Sequence, residues 1–396
     1  MRVDEMQQRE DFLPILIRTL ERGFSMRLGT SVEVQSEPAP GRQTWLLQPF
    51  LSACYVPEAD ERVRRFLRDS IAFTSVRRRA PLQYAGGVVL TTSAGLRLAG
   101  RPCFAVAPSL AGAAHTLIVP GNLRVRIFDF EAGRCLVLLK DGFPNQSMRR
   151  EVEARVEAGP SSLPILRSAD DWTWFEEPIF DGYSLARCPP WLRRAALEER
   201  AFELLRAWAS PSLRPQTVSS WTEEKLEGLE GLRRELPPSR SGSSERLVRF
   251  ATALARLTSP LEEITVGRTH GDFQAGNVLV SRDGGRVAVI DWEHAGERMC
   301  DYDPLVYGLG ARRGPSIIVE QVRRFLGGEP WRRLGHEALW DVRRRRALLA
   351  AFLLEDLLWF TQADLGGPFT RESAGLRMRL ARSDALLGAL SDRGAS

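Results

Sequence analysis

The chain has 396 residues, 43% of them apolar and 27% charged, with a formal net charge of +5, values that suit a globular protein of two or three domains. No apolar run reaches the roughly 18 residues that a membrane span needs, and the charged start MRVDEMQQREDF lacks the apolar stretch of a secretory signal. Fifty acidic residues mixed with 55 basic ones argue against nucleic-acid binding, and five scattered cysteines without a CxxC pair argue for reduced thiols in a cytoplasm.

Residues 1–100 carry no recognisable chemical motif. REDFLPILIRTLERGF and ADERVRRFLRDSIAF have helical apolar spacing, and TSVEVQ, TWLLQPF and GGVVLTT read as short strands. From residue 115, HTLIVPGNLRVRIFDF predicts strand, turn and strand, and CLVLLK is an apolar strand ending in Lys140. NQSMRREVEARVEA follows as an amphipathic helix carrying Glu151 and Glu153, and PSSLPILRS and WTWFEEPIF supply further strands. Beyond Gly182 the pattern is mainly helical, from WLRRAALEERAFELLRAWA through ERLVRFATALARL to GPSIIVEQVRRFLGG, RRRRALLAAFLLEDLLWFTQADL and RMRLARSDALLGAL.

The segment THGDFQAGNVLV, residues 269–280, breaks this pattern. His270, Gly271, Asp272 and Asn277 read as a loop that runs into a strand. A turn containing Asp283, Gly284 and Gly285 leads to a second strand ending at Asp291, so a hairpin should bring Asn277 and Asp291 together. An amide oxygen beside a carboxylate forms a hard-oxygen pair suited to Mg²⁺, and Asp272 is available to orient or deprotonate a hydroxyl. A phosphoryl-transfer site also needs a cation for the donor phosphates. Of 55 basic residues only Lys140 and Lys225 are lysines, and Lys140, at a strand end before a glutamate-bearing helix, is the candidate.

HGDFQAGNVLV, VAVIDWEHAG and DYDPLVYG together resemble the aminoglycoside phosphotransferase and choline kinase-like family. The resemblance covers residues 115–360 and is strongest over 268–308. It implies an α+β, bilobal protein-kinase-like fold with a small antiparallel-sheet N-lobe and a mainly helical C-lobe, here with an extra N-terminal α/β segment. It also implies Mg²⁺ with ATP (or GTP) as donor and a small-molecule hydroxyl as acceptor. By position, Asp272 would be the catalytic base, Asn277 and Asp291 the metal ligands, and Lys140 the phosphate-binding cation partnered by Glu151. His270 and Asp303 would support the loop. FEEPIFDGYSL resembles the family's hinge, with the backbone at Glu177 to Ile179 expected to bind adenine. No GxGxxG follows the first strand; VPGNLRV stands there, with Gly121 and Asn122 as candidate phosphate contacts.

The domains expected are an N-terminal extension over 1–100, an N-lobe over 101–181 and a helical C-lobe over 182–396 that holds the catalytic loop and metal site. Glu355, Asp356 and Asp364 are candidates to line an acceptor pocket. The alternative function is a kinase-fold module that binds nucleotide or a partner without transferring phosphate. The acceptor itself, whether aminoglycoside, sugar or amino alcohol, is not legible, and neither is the oligomeric state.

Overall fold

The computed structural model describes residues 3–8, 10–49, 51–72, 80–235, 241–312, 315–329, 341–365 and 383–390. The chain divides into two compact units, one of Met1–Ala201 with Gly276–Glu293, the other of Phe202–Ala275 with His294–Ser396. The expected α+β organisation is present, with a unit built on an antiparallel sheet and a unit that is mainly helical.

The first unit opens with helices α1 (Val3–Gln7) and α2 (Phe12–Leu28), then strands β1 (Glu33–Gln35), β2 (Gln43–Gln48) and β3 (Ala53–Tyr55). Helices α3 (Glu61–Ala72), α4 (Ala80–Leu90) and α5 (Ser93–Ala99) precede β4 (Arg101–Ala107), β5 (Thr116–Pro120), β6 (Arg124–Asp129) and β7 (Arg134–Leu139). Helix α6 (Gln146–Ala158) follows, then β8 (Arg167–Ser168), β9 (Trp174–Pro178) and β10 (Gly182–Ser184). One sheet in the order β1-β4-β2-β3-β5-β6-β7-β9-β8 joins the strands of the first hundred residues to those that follow.

Residues 1–100 therefore do not fold apart from the rest of this unit. Phe12, Leu16, Leu20 and Phe24 of α2 share a buried cluster with Trp45, Phe104, Ile118, Val125, Ile127 and Leu138. Burying apolar surface on both sides of the nominal boundary stabilises one core rather than two. Helix α2 lies so close to β7 that a Cβ added at Gly23 would stand 2.3 Å from Leu138 Cδ1. The expected strand GGVVLTT is instead the end of α4, which packs on α3. Its β-branched residues have strand propensity, but packing on α3 receives them as helix, and context overrides propensity.

Helix α7 (Arg194–Ala209) spans the division between the units. The second unit holds α8 (Val218–Glu235), α9 (Ser241–Leu257), α10 (Tyr302–Leu309), α11 (Pro315–Leu326) and α12 (Val342–Leu365). A small sheet, β11 (Arg214–Thr217), β12 (Glu263–Thr269) and β15 (Gly296–Met299), has β12 at its centre. Helices α8, α9 and α12 pack on one another around Trp221, Phe250, Leu254, Leu349 and Phe352. The hairpin β13 (Val278–Ser281) and β14 (Val287–Val289) pairs with β10 and belongs to the first unit. The expected assignment of Asn277 and Asp291 to the helical portion is thus corrected: strand pairing to β10 holds them with the sheet-bearing unit. No helix of the described residues is long and apolar enough to cross a membrane.

Candidate active site

In the second unit, β12 delivers the loop that begins at His270. The backbone N–H groups of His270 and Gly271 donate to the two oxygens of Asp303, at 2.6 and 2.9 Å. Asp303 lies in the first turn of α10, and its burial raises its pKa against the pull of His270 and these N–H donors. Gly271 has φ +81°, and a Cβ there would lie 2.2 Å from the His294 carbonyl oxygen, so only glycine fits.

Asp272 follows at once. Its Oδ2 accepts from the Gln274 amide at 3.0 Å, and its Oδ1 lies 2.6 Å from Arg312 Nε. Arg312 also donates to the Gly271 carbonyl at 3.1 Å and to Asp356 Oδ1 at 2.8 Å, and its guanidinium lies over the Phe360 ring. Burial would lower the Arg312 pKa, but Asp356, Tyr302 and Asp272 carry it well above its ordinary value, so it stays charged. A second arginine, the buried Arg298, donates to Thr269 Oγ1 and the His294 carbonyl, both at 2.7 Å, and stacks on Trp359. No local sequence signal marks Arg298 or Arg312. Neither belongs to a motif, and the chain is so rich in arginine that composition does not mark them.

In the first unit, the hairpin register pairs Val278 with Val289, and the Ile290 N–H donates to the Asn277 carbonyl at 2.9 Å. Asn277 and Asp291 are therefore neighbours at the same end of the hairpin. Asp291 has φ +63°, a left-handed conformation that costs a non-glycine residue roughly 1–2 kcal/mol. Such a cost persists only where surrounding contacts over-determine it, and here they are ionic. Asp291 Oδ1 is bonded to Arg126 and lies 3.7 Å from Arg124 Nη2. An amide oxygen and a carboxylate have the donor chemistry for Mg²⁺, although the Asp291 carboxylate already faces two guanidinium groups.

Arg124 is the centre of this cluster. It is 4% exposed, with Nη1 2.8 Å from Glu151 Oε2 and Nη2 2.5 Å from Glu293 Oε2. Burial works against its charge, but Glu151, Glu293 and Asp291 outweigh burial and raise its pKa well above the ordinary value. Burial raises the pKa of Glu293, with Arg124 pulling the other way. The other oxygen of Glu151 lies 3.3 Å from Arg155 Nη1, which also meets Glu177 Oε2 at 2.7 Å.

These contacts correct the expected pairing of Lys140 with Glu151. Both Glu151 oxygens face arginines, and Lys140 Nζ, 1% exposed, forms an ion pair with Glu10. The lysine lies beyond the last residue of β7, beneath the N-terminal segment, with Met6, Phe12 and Phe143 around its ammonium. Its position follows from the packing of α1 and α2, which local sequence spacing could not reveal.

At the expected hinge, the backbone continues the sheet. The Ile179 N–H donates to the Gly133 carbonyl at 2.9 Å, Pro178 has no N–H, and Glu177 is paired with Cys135 in the sheet. The Ile179 N–H thus extends the β7–β9 ladder. At the β5–β6 turn, the Gly121 N–H donates to the Arg124 carbonyl at 2.7 Å, while Asn122 is exposed.

Of the acceptor-pocket candidates, Glu355 is buried, 3.1 Å from Lys225 Nζ and accepting from the Met299 N–H. Asp356 is buried between Arg312 and the Tyr302 hydroxyl. Both carboxylates brace the helical core, and the side chain of Asp364 lies outside the described residues.

Residues 179–348 match the sequence model of the phosphotransferase enzyme family. Among solved structures, a choline/ethanolamine kinase family protein from Mesorhizobium loti is 15% identical, with 71% of this chain and 93% of that one covered and a TM-score of 0.41. A thermostable mutant of an aminoglycoside phosphotransferase, in ternary complex with ADP and hygromycin B, is 17% identical, with coverage of 69% and 93% and a TM-score of 0.43. An ethanolamine kinase from Plasmodium vivax is 13% identical, with coverage of 82% and 94% and a TM-score of 0.39. No curated protein matches the chain.

Proposed function

We propose, from the match of residues 179–348 to the sequence model of the phosphotransferase enzyme family, that the chain moves the γ-phosphoryl group of ATP, or of GTP, to a hydroxyl of a small molecule. An aminoglycoside, a sugar and an amino alcohol are the acceptor classes to test. The observation that carries the reading is the hairpin end at which Asn277 and Asp291 adjoin, with Asp291 held in left-handed backbone. Asp272, five positions before Asn277 in the chain, is presented by a loop whose two preceding N–H groups are tied to Asp303.

In this reading Asp272 orients the acceptor hydroxyl and takes up its proton. Asn277 and Asp291 would hold Mg²⁺, which when bound draws charge from the donor phosphates. The protein's contribution is positioning and fixed charge rather than covalent chemistry. The test is ADP formation from Mg-ATP by the purified protein across a panel of hydroxylated compounds, with Asp272→Ala as blank. At least one acceptor should give turnover that the variant lowers by about 10²–10⁴-fold, with nucleotide affinity unchanged. Equal turnover by the variant would remove Asp272 from the mechanism.

One observation favours the second reading, a binding module without transfer. Asp272 and Asp291, the two carboxylates the chemistry needs, both face arginines, Arg312 and Arg126. Nucleotide binding with no ADP formed from any acceptor would select that reading.

A further inference from the structure

Lys140, the cation expected at the donor phosphates, is enclosed with Glu10, Met6, Phe12 and Phe143. The glutamate expected to hold it, Glu151, instead binds Arg124. Arg124 and Arg126 stand two positions apart on β6 and so share one face of the sheet. Both reach Asp291. Their environments differ. Arg124 is enclosed by Glu151, Glu293 and Asp291, whereas Arg126 is 25% exposed and its carboxylate partner is Asp291.

From this arrangement we infer that the β6 arginines replace Lys140 at the donor phosphates. Arg126 is the guanidinium that meets the phosphate oxygens, Arg124 is the positioning residue that links Glu151 to Asp291, and Lys140 is a structural clip for the N-terminal segment. The inference rests on the phosphotransferase reading and concerns only the residues that meet the donor. A planar guanidinium can exchange a carboxylate for phosphate oxygens in the same two-pronged geometry. The ammonium of Lys140 would have to leave both Glu10 and the aromatic rings around it. The chain's preference for arginine then takes on a local meaning, because β6 carries the fork-shaped cation and lysine is kept where the space is small.

The experiment measures equilibrium binding of a fluorescent ATP analogue, competition by inorganic tripolyphosphate, and thermal midpoints, for the wild type, Arg126→Gln, Arg124→Lys, Lys140→Met and Glu10→Gln. Arg126→Gln should weaken binding of the analogue and of tripolyphosphate by about tenfold or more, measured at a temperature where the variant is fully folded. Arg124→Lys keeps the charge but not the fork, and should weaken the analogue while remaining folded. Lys140→Met and Glu10→Gln should lower the midpoint and leave nucleotide affinity within about twofold, less than the tenfold that corresponds to one lost charged contact. Wild-type affinity in Arg126→Gln overturns the inference. So does a loss of affinity in Lys140→Met at a temperature where Glu10→Gln, equally destabilised, still binds. A wild type that binds no nucleotide refutes the phosphotransferase reading itself, and this inference with it.

Discussion

Arg312 holds Asp272 in place, its Nε 2.6 Å from Oδ1, while the same guanidinium reaches the buried Asp356 at 2.8 Å. The loop carboxylate is thereby connected through one cation to helix α12 and through Asp356 to the Tyr302 hydroxyl. Burial pushes the Tyr302 pKa up, and Asp356 pushes it further, so this hydroxyl stays a donor. The loop carboxylate of Asp272 and the buried carboxylate of the helical core share this one arginine.

Arg312→Met should therefore cost about 3 kcal/mol, because it leaves Asp356 buried without its cation. Adding Asp356→Asn should recover part of that loss. Urea unfolding of the two single variants and the double variant checks this, and strictly additive costs would show that the two side chains are not coupled.

Gly271→Ala should destabilise by more than about 1 kcal/mol, since alanine meets both the left-handed φ and the His294 carbonyl. The readout is a lower thermal midpoint accompanied by loss of any turnover assigned to Asp272. A variant of wild-type stability would mean that the loop relaxes at no cost.

Asp60 caps α3 by accepting from the Val63 N–H at 2.9 Å, and it meets His115 Nδ1 at 2.7 Å. Burial would raise its pKa, but the Val63 N–H and His115 outweigh burial and lower it below 3.8. A lowered carboxylate pKa gives stability that is present above the unfolded-state value and lost as the pH falls through the folded-state value. Asp60→Ala should thus cost about 1 kcal/mol at neutral pH, and the gap to wild type should close in acid below pH 3.8. Denaturant midpoints at the two pH values decide; a gap that persists in acid refutes the assignment.

Lys225 lies 3.1 Å from the buried Glu355 and over the Trp221 ring. Burial raises the Glu355 pKa, and Lys225 opposes the rise. Lys225→Met removes that opposition and should cost about 3 kcal/mol at pH 8. A raised carboxylate pKa means that stability is retained at low pH and lost as the pH rises through the folded value. The variant should be closer to wild type at pH 5 than at pH 8, as read from thermal midpoints. An equal deficit at both would show that Glu355 is not the group left uncompensated.

Elements whose cause is local were legible. The hairpin 278–289 follows from two apolar runs around Asp283, Gly284 and Gly285, and helix α6 follows from its apolar spacing, because turn chemistry and periodicity act over about ten residues. The short strands β3 and β4 carry no such local signal, and the end of α4 has the composition of a strand. A short apolar run becomes strand or helix according to what receives it.

The sequence by itself determined that Asn277 and Asp291 adjoin, since a hairpin leaves its ends no other arrangement, and that Gly271 precedes Asp272 in a loop. Only the tertiary structure decided which charges meet. Glu10 reaches Lys140 across 130 positions and Arg124 reaches Glu293 across 169. With arginine at nearly every basic position, identity could not single out a partner. That choice was made by burial, which tolerates a charge only beside its opposite and so selects partners by packing rather than by order along the chain.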